Sequence, residues 1–92
     1  FFEIQGYGMK NAWGALSDDT RREILSLLKN RPHTAGEISD QFELSPATVS
    51  HHLSVLKGCG LIKCERRAQT LIYSINLPAF HALAKELTRI YS

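Results

Sequence analysis

The apolar residues of this chain recur mainly three and four positions apart, which is the spacing of one face of an α-helix. This pattern predicts a short helix before Ser17 and a second helix that Ser17 caps and that runs to about Lys29. A third helix is predicted from Thr34 to Phe42, because the segment "TAGE" has the spacing of a capping box. The first part of the chain is therefore predicted to be helical.

The segment "SPATVSHHLSVLK", residues 45–57, predicts a fourth helix. Ser45 can cap it, and Pro46 occupies the first helical position, where its missing N–H costs nothing. The "GCG" of residues 58–60 ends this helix. After it, "LIKCE" and "TLIYSI" are typical of two strands, and "RRAQ" joins them. A β-hairpin with a basic tip is therefore predicted to follow the fourth helix.

Both ends of the chain carry apolar faces that are large for its size. A last helix is predicted around Pro78, and a short first helix lies before Ser17. A chain of 92 residues cannot cover both faces by itself, so pairing with a second copy is favoured over a completed monomer core. The predicted dimer interface consists of Ala12, Trp13, Leu16, Phe80, Leu83, Ala84, Leu87, Ile90 and Tyr91.

The fourth helix has two unlike sides. At about 100° per residue, Val49, Leu53 and Leu56 share one side, which we expect to pack on the domain. His52 borders that side, where a structural hydrogen bond is favoured over a contact with DNA. The opposite side and its margins carry small polar groups and one lysine: Ala47, Thr48, Ser50, His51, Ser54 and Lys57.

Residues 46–57 contain no Asp or Glu. A solvated helix face usually carries Glu and Lys, whereas a face that enters the major groove needs short side chains and no carboxylates to repel phosphate. The third helix, the "ELS" connection and the fourth helix form a predicted helix-turn-helix, and the hairpin follows as a wing. The expected fold is mainly α with a small β-hairpin (α+β), in one winged helix-turn-helix domain over residues 1–92.

Composition narrows the classes of function. A net charge of +2 is too small to indicate nucleic acid by itself, although a dimer would double it. Two cysteines are too few for a secreted disulfide scaffold, and no apolar run approaches the roughly 20 residues of a membrane span, so we expect a cytoplasmic protein. Met9 can be the natural start, with residues 1–8 an upstream extension or an artificial addition. No phosphate loop or nucleophile motif indicates an enzyme.

Four segments resemble one family of bacterial repressors. The sequences "ALSDDTRREILSLL", "TAGEIS", "SPATVSHHLSVLKGCGLI" and "IYSIN" are similar to the ArsR/SmtB family, and most of all to its SdpR-type autorepressors, which lack metal motifs. The resemblance implies a homodimer joined through the first and last helices. It also implies that the recognition helices enter successive major grooves of double-stranded DNA at an inverted-repeat operator, and that the protein represses its own or an adjacent operon.

The resemblance assigns roles to particular residues. It places Thr48, Ser50 and His51 on the base-reading side, and Arg21 and Arg22 in the "TRR" that opens the second helix. Their positive charge independently favours phosphate contacts by Lys57, Arg66 and Arg67. Where wings of the family commonly have Gly, this chain has "AQ" at 68–69, which leaves the geometry of the turn open. The candidate DNA-binding set is Arg21, Arg22, Ala47, Thr48, Ser50, His51, Ser54, Lys57, Arg66 and Arg67.

A metal or thiol sensor is the less favoured reading. An extended connection is expected to hold Cys59 and Cys64 too far apart for a disulfide, and His81 is the only histidine of the last helix. The third helix lacks the Cys-x-Cys motif of metal-sensing relatives, so we expect no metal and no cofactor. Two alternatives stay open: a winged helix that binds another protein, and a thiol- or metal-responsive repressor with an unrecognised site. The signal that releases the protein from DNA is either a sequestering protein or a small effector, and the sequence does not distinguish them.

Overall fold

The computed structural model describes the main chain of residues 9–92 and the side chains from Asn11 onward. Five helices and three strands occur in this range. In chain order they are α1 (Met9–Ala15), α2 (Asp19–Asn30), β1 (His33–Thr34), α3 (Ala35–Phe42), α4 (Pro46–Gly58), β2 (Ile62–Arg67), β3 (Thr70–Ile75) and α5 (Leu77–Tyr91). The interpretation of residues 1–8 as an extension lies outside the described residues.

The capping signals place α3 and α4 correctly. Thr34 accepts a hydrogen bond from the Glu37 main-chain N–H, and the Glu37 side chain accepts one from the Thr34 N–H, so the predicted capping box is confirmed. Ser45 caps α4 by accepting from the Thr48 N–H at 3.1 Å, and Pro46 follows it. The helix-turn-helix predicted from these two caps is therefore present.

Helix α2 begins one residue later than expected, and the prediction of Ser17 as its cap is wrong. The Asp18 carboxylate accepts the Arg21 N–H at 2.9 Å and is the N-cap. The Ser17 hydroxyl instead donates to the Gly14 carbonyl oxygen at 2.7 Å and so binds a group at the end of α1. Two adjacent polar residues thus serve two different helix ends.

The "GCG" segment ends α4 in a Schellman motif. The Leu61 N–H donates to the Leu56 carbonyl oxygen, and the Gly60 N–H donates to that of Lys57, both at 3.0 Å. Gly60 has a φ of 82°, which lies in the left-handed region that favours glycine. This backbone turn directs the chain from α4 into β2.

The predicted hairpin is confirmed as β2 and β3, and the short strand β1 adds a third strand, so the wing belongs to an antiparallel sheet in the order β1-β3-β2. The two residues of β1 pair with β3, His33 opposite Tyr73. Strand β2 continues through Arg67, so both arginines of the expected tip lie on the strand and the turn is Ala68-Gln69. Ala68 adopts the left-handed conformation that glycine would adopt more easily, with a φ of 57°.

The core lies among the helices and includes two residues that the sequence assigns to a dimer interface. Ala12 and Leu83 are only 4% and 5% exposed within a single chain, so they contribute to the core of the protomer, and their contact with a second copy stays a prediction. Helix α5 is attached through Leu83, with Ala79 and Phe80 partly buried beside the core. Beyond Leu83 it leaves large apolar side chains exposed: Leu87 (51%), Ile90 (63%) and Tyr91 (85%).

Among residues 9–92, no helix combines the length and the apolar character that crossing a membrane requires.

Removal of the α3 cap should destabilise the fold by a measurable amount. We expect Thr34→Ala to lower the free energy of unfolding by about 1 kcal/mol, because the Glu37 N–H loses its partner. Ser54→Ala is the matched control, since this exposed hydroxyl lies within α4, away from its ends, and its removal should change stability by less than about 0.5 kcal/mol. Urea denaturation measures both, and equal stabilities would contradict the role of the cap.

Candidate nucleic-acid interface

Helix α4 is fixed by one side and open on the other. Val49 and Leu56 are fully buried and Leu53 is 3% exposed, which confirms the predicted core side. Helix α4 packs against α3, β2 and α1. All the residues predicted for its outer side are exposed: Ala47, Thr48, Ser50, His51, Ser54 and Lys57. The helix therefore presents a small, acid-free polar surface from a rigid support.

The turn between α3 and α4 holds the two helices at a fixed angle. Glu43 is the C-cap of α3 with a φ of 55°, and the Leu44 N–H donates to the Ser39 carbonyl oxygen at 3.1 Å. In return, the Ser39 hydroxyl donates to the Leu44 carbonyl oxygen at 2.5 Å. Because these bonds satisfy both polar groups of Leu44, the short connection has a defined conformation.

Exposed cations lie at the C-terminal end of α4 and on the wing. Lys57 lies in the last turn of α4, and Arg66 lies on β2 in the wing. Arg67 pairs with Glu65 at 3.3 Å, with about two thirds of each side chain exposed (66% and 65%). An ion pair this exposed is weak, so the Arg67 guanidinium can exchange the carboxylate for a phosphate.

The side chain of Arg21 is bound within the protein. Its Nε donates to the Ala15 carbonyl oxygen at 2.9 Å, and its Nη1 lies 3.3 Å from His52 Nδ1. The structural hydrogen bond predicted for His52 is therefore confirmed, with Arg21 as its partner. The Arg21 main-chain N–H, which donates to the Asp18 carboxylate, lowers the pKa of that carboxyl, and the positive charge of Arg21 adds to the effect.

Arg22 binds the residue that follows α1, and its side chain leaves α2 on a different side from that of Arg21. Its Nη1 donates to the Leu16 carbonyl oxygen at 2.6 Å, and its Nη2 forms an ion pair with the exposed Asp19. It lines an apolar groove of about 390 Å³ together with Leu77 and Phe80 of α5. The structure therefore separates the two arginines, since Arg21 contacts α4 and Arg22 lies beside α5.

The remaining candidates for a dimer interface lie on both terminal helices and differ in exposure. Trp13, Leu16 and Phe80 are half-buried beside the core, whereas the outer candidates of α5 are exposed. The exposed group comprises Ala84, Leu87, Ile90 and Tyr91. At about 100° per residue these four share one side of α5, so the helix carries a continuous apolar stripe.

The two cysteines are free and occupy different environments. Burial raises the pKa of the Cys59 thiol, whose Sγ donates to the Leu56 carbonyl oxygen. Cys64 is half-buried on β2, opposite Tyr73. The pKa of the Tyr73 hydroxyl is raised, mainly because the hydroxyl is partly buried and also because the Cys64 thiol lies beside it. Within the described part of the chain, no three side chains of His, Cys, Asp or Glu group closely enough to hold a metal ion, and His81 is exposed on α5.

The sequence patterns do not predict the link between the start of α2 and the middle of α4. The spacing Asp18-x-x-Arg21 is that of an N-cap and the third helical residue, and this signal was available. Arg21 and His52 are 31 residues apart in sequence, so no local pattern indicates their contact.

Comparisons with known proteins agree with this geometry. A family model described as "Bacterial regulatory protein, arsR family" matches residues 18–63. Transcriptional repressor SdpR of Bacillus subtilis is 46% identical over 68 residues, which cover 74% of this chain and 76% of that protein. An ArsR-like transcriptional regulator from Rhodococcus sp. RHA1 superposes with a TM-score of 0.82 at 28% identity, over 88% of this chain and 76% of the other.

One further structure agrees in fold alone. It is the homodimeric winged helix-turn-helix DNA-binding domain of Mb0332 from Mycobacterium bovis, described as a possible ArsR-family regulator. It aligns with a TM-score of 0.72 at 24% identity, over 89% of this chain and 79% of that one.

Proposed function

The chain belongs to the ArsR family of bacterial regulatory proteins, which are DNA-binding transcriptional regulators and not enzymes, and on this basis we propose that it is a homodimeric repressor. It binds an inverted-repeat operator through α4 and represses its own or an adjacent operon. The observation that carries the proposal is the exposed, acid-free polar side of α4, held from behind by buried Val49, Leu53 and Leu56.

Base reading is assigned to the outer side of α4. Thr48, Ser50 and His51 offer short donors and acceptors, and no carboxylate on this helix repels the phosphates that flank a major groove. Ala47 and Ser54 add little bulk, which lets the helix approach base edges closely. The Ser45 hydroxyl donates to Thr48 Oγ1 at 2.9 Å, so the orientation of the Thr48 side chain is fixed before DNA binds.

Affinity without sequence preference is assigned to Lys57, Arg66 and Arg67. All three are exposed, and none is held by a buried partner that binding would have to break. Contacts with phosphates position a protein on the duplex and make its affinity fall as salt rises. A winged helix that binds another protein mainly through apolar groups would show little dependence on salt, which separates the two hypotheses.

The apolar stripe of α5 supports the homodimer. Leu87, Ile90 and Tyr91 are each more than half exposed in one chain, and such a stripe is covered when a second copy pairs with it. Half-buried Trp13 of α1 extends the apolar surface at the other end of the chain. The solved Mycobacterium bovis domain of the same fold is a homodimer, which is consistent with this assembly.

Repression without a metal signal completes the proposal. The Bacillus subtilis relative is named a transcriptional repressor, and repression is the regulatory outcome that we assign to this chain. Within the described residues no cluster of ligands fits a metal, and the thiol of Cys59 is buried. We propose that another signal, either a sequestering protein or a small effector, releases the operator.

Substitutions on α4 and in the wing should have separable effects. We expect His51→Ala or Ser50→Ala to cost about 1–3 kcal/mol on the operator and to relax base preference at particular positions, because base contacts are lost. Arg66→Ala should weaken all DNA sequences alike and lower the salt slope by about one unit. Fluorescence anisotropy with operator and random duplexes measures both quantities.

His81→Ala is the matched control for His51→Ala, since it removes an exposed histidine from α5, and its operator affinity should equal that of the parent. If the His51 and Ser50 variants lose as much affinity for random DNA as for the operator, they do not read bases.

Truncation of the α5 stripe should weaken the dimer and DNA binding together. We expect Leu87→Ala with Ile90→Ala to raise the dimer dissociation constant by roughly tenfold or more, since exposed apolar area on both copies is lost. Sedimentation and operator titration should change in parallel, because a monomer engages only half of the site. Lys85→Ala, on the opposite side of α5, should leave both unchanged. A double variant with the parent's dimer constant would reject this interface.

Metals should leave operator binding unchanged. One equivalent of zinc, copper or cadmium is expected to alter the operator affinity by less than about twofold, because a ligand shifts an equilibrium only through differential affinity and residues 9–92 hold no group of three possible metal ligands. Reproducible release of the operator by stoichiometric metal, abolished by Cys64→Ser or His81→Ala, would reveal a site that two subunits share.

A further inference from the structure

Arg21 lies where three helices meet. Its main-chain N–H binds the Asp18 cap of its own helix, and its Nε binds the last carbonyl of α1, at Ala15. Its Nη1 then reaches His52 on the recognition helix. One half-buried side chain thus joins the end of α1, the start of α2 and the middle of α4.

The shape of the guanidinium makes this junction specific. Nε and Nη1 are donors in one rigid plane, so the direction of the bond to Ala15 constrains the direction of the bond to His52. An ammonium group on a flexible stem can satisfy either acceptor but does not hold both in a fixed relation. A lysine at this position, despite its equal charge and similar length, therefore cannot replace both hydrogen bonds.

The contact also fixes the state of His52. Arginine remains protonated and only donates, so a hydrogen bond at this contact requires His52 Nδ1 as the acceptor and the ring proton on Nε2. His52 is adjacent to His51, with ring centroids 5.6 Å apart, and His51 is exposed on the proposed base-reading side. A rotation of α4 that breaks the Arg21 contact would therefore also move His51.

We propose that Arg21 is a positioning residue for DNA recognition, which acts through His52 to fix the rotation of α4 relative to the end of α1. This replaces the sequence-based expectation that Arg21 touches DNA. The inference rests on the proposed function, because the effect is read out as operator affinity. It goes beyond that function in assigning a path from a predicted dimerisation helix to the base-reading side chains.

Arg22 provides a matched control in the same sequence. It also binds a carbonyl at the end of α1, at Leu16, but its other partner is the exposed Asp19 and it lines the groove beside α5. Replacement of either arginine by lysine keeps the net charge. Only the replacement of Arg21 removes a contact with α4.

The test compares Arg21→Lys, Arg22→Lys and His52→Phe on an operator selected from random DNA. We expect Arg21→Lys and His52→Phe each to weaken operator binding by about tenfold and to leave the salt slope unchanged. Arg22→Lys keeps both the charge and the Arg21–His52 contact, so it should weaken operator binding less than Arg21→Lys does. The combined Arg21→Lys, His52→Phe variant should bind about as well as either single variant, because both changes break the same contact.

An NMR measurement on the DNA-free protein gives an independent readout. The parent should show His52 with its proton on Nε2, and Arg21→Lys should change the ring nitrogen shifts of His52, while Arg22→Lys leaves them as they are. A general loss of stability does not move these shifts in the folded protein. His52→Phe probes the same contact from α4 if Arg21→Lys folds poorly.

Two results would overturn the inference. Parent-like operator binding by Arg21→Lys, together with a salt slope lowered by about one unit in Arg21→Gln, would show that Arg21 contacts phosphate. Unchanged His52 shifts in Arg21→Lys would show that the contact is not made. A failure of the parent to bind any selected DNA would reject the proposed function instead, and the NMR result would still decide whether Arg21 holds His52.

Discussion

The burial of one side of α4 is the constraint on which the rest of the structure depends. Val49, Leu53 and Leu56 place nearly all of their apolar surface in the core, which determines the side of the helix that faces inward. Every other residue of α4 then has a determined direction. The small polar side chains face outward because the apolar ones must face inward, so the same packing that stabilises the domain also exposes the polar side that we propose binds DNA.

Hydrogen bonds at helix ends determine where each helix begins, which apolar packing alone does not specify. Asp18, Thr34 and Ser45 each accept a main-chain N–H of the helix that follows, so the starts of α2, α3 and α4 are fixed in the chain. These bonds are directional, whereas burial is not, so they restrict the orientation of a helix that apolar packing has already placed. The contact of Arg21 with His52 belongs to this second level, since it links two helix ends to the middle of α4.

Local patterns predicted most of the fold, and the errors have physical causes. The periodicity of 3.6 and the caps located α3 and α4, because both signals lie within one helix. Strand β1 was missed because it has only two residues and exists through its pairing with β3. Ala12 and Leu83 are predicted for a dimer interface and are buried within one protomer, because periodicity shows that a face is apolar but not which neighbour covers it. The link of Arg21 to His52 was hidden for the same reason, since it depends on how α2 and α4 pack.

The most direct test of a two-fold repressor that reads DNA through α4 is the symmetry of its operator. Fragments selected from random DNA can be bound to the protein and mapped by hydroxyl-radical footprinting at single-base resolution. The account predicts an inverted repeat whose half-site centres lie about 10 bp apart, or a small multiple of that distance, with protection related by a two-fold axis. Protection of one unsymmetrical site by a single protomer would contradict it.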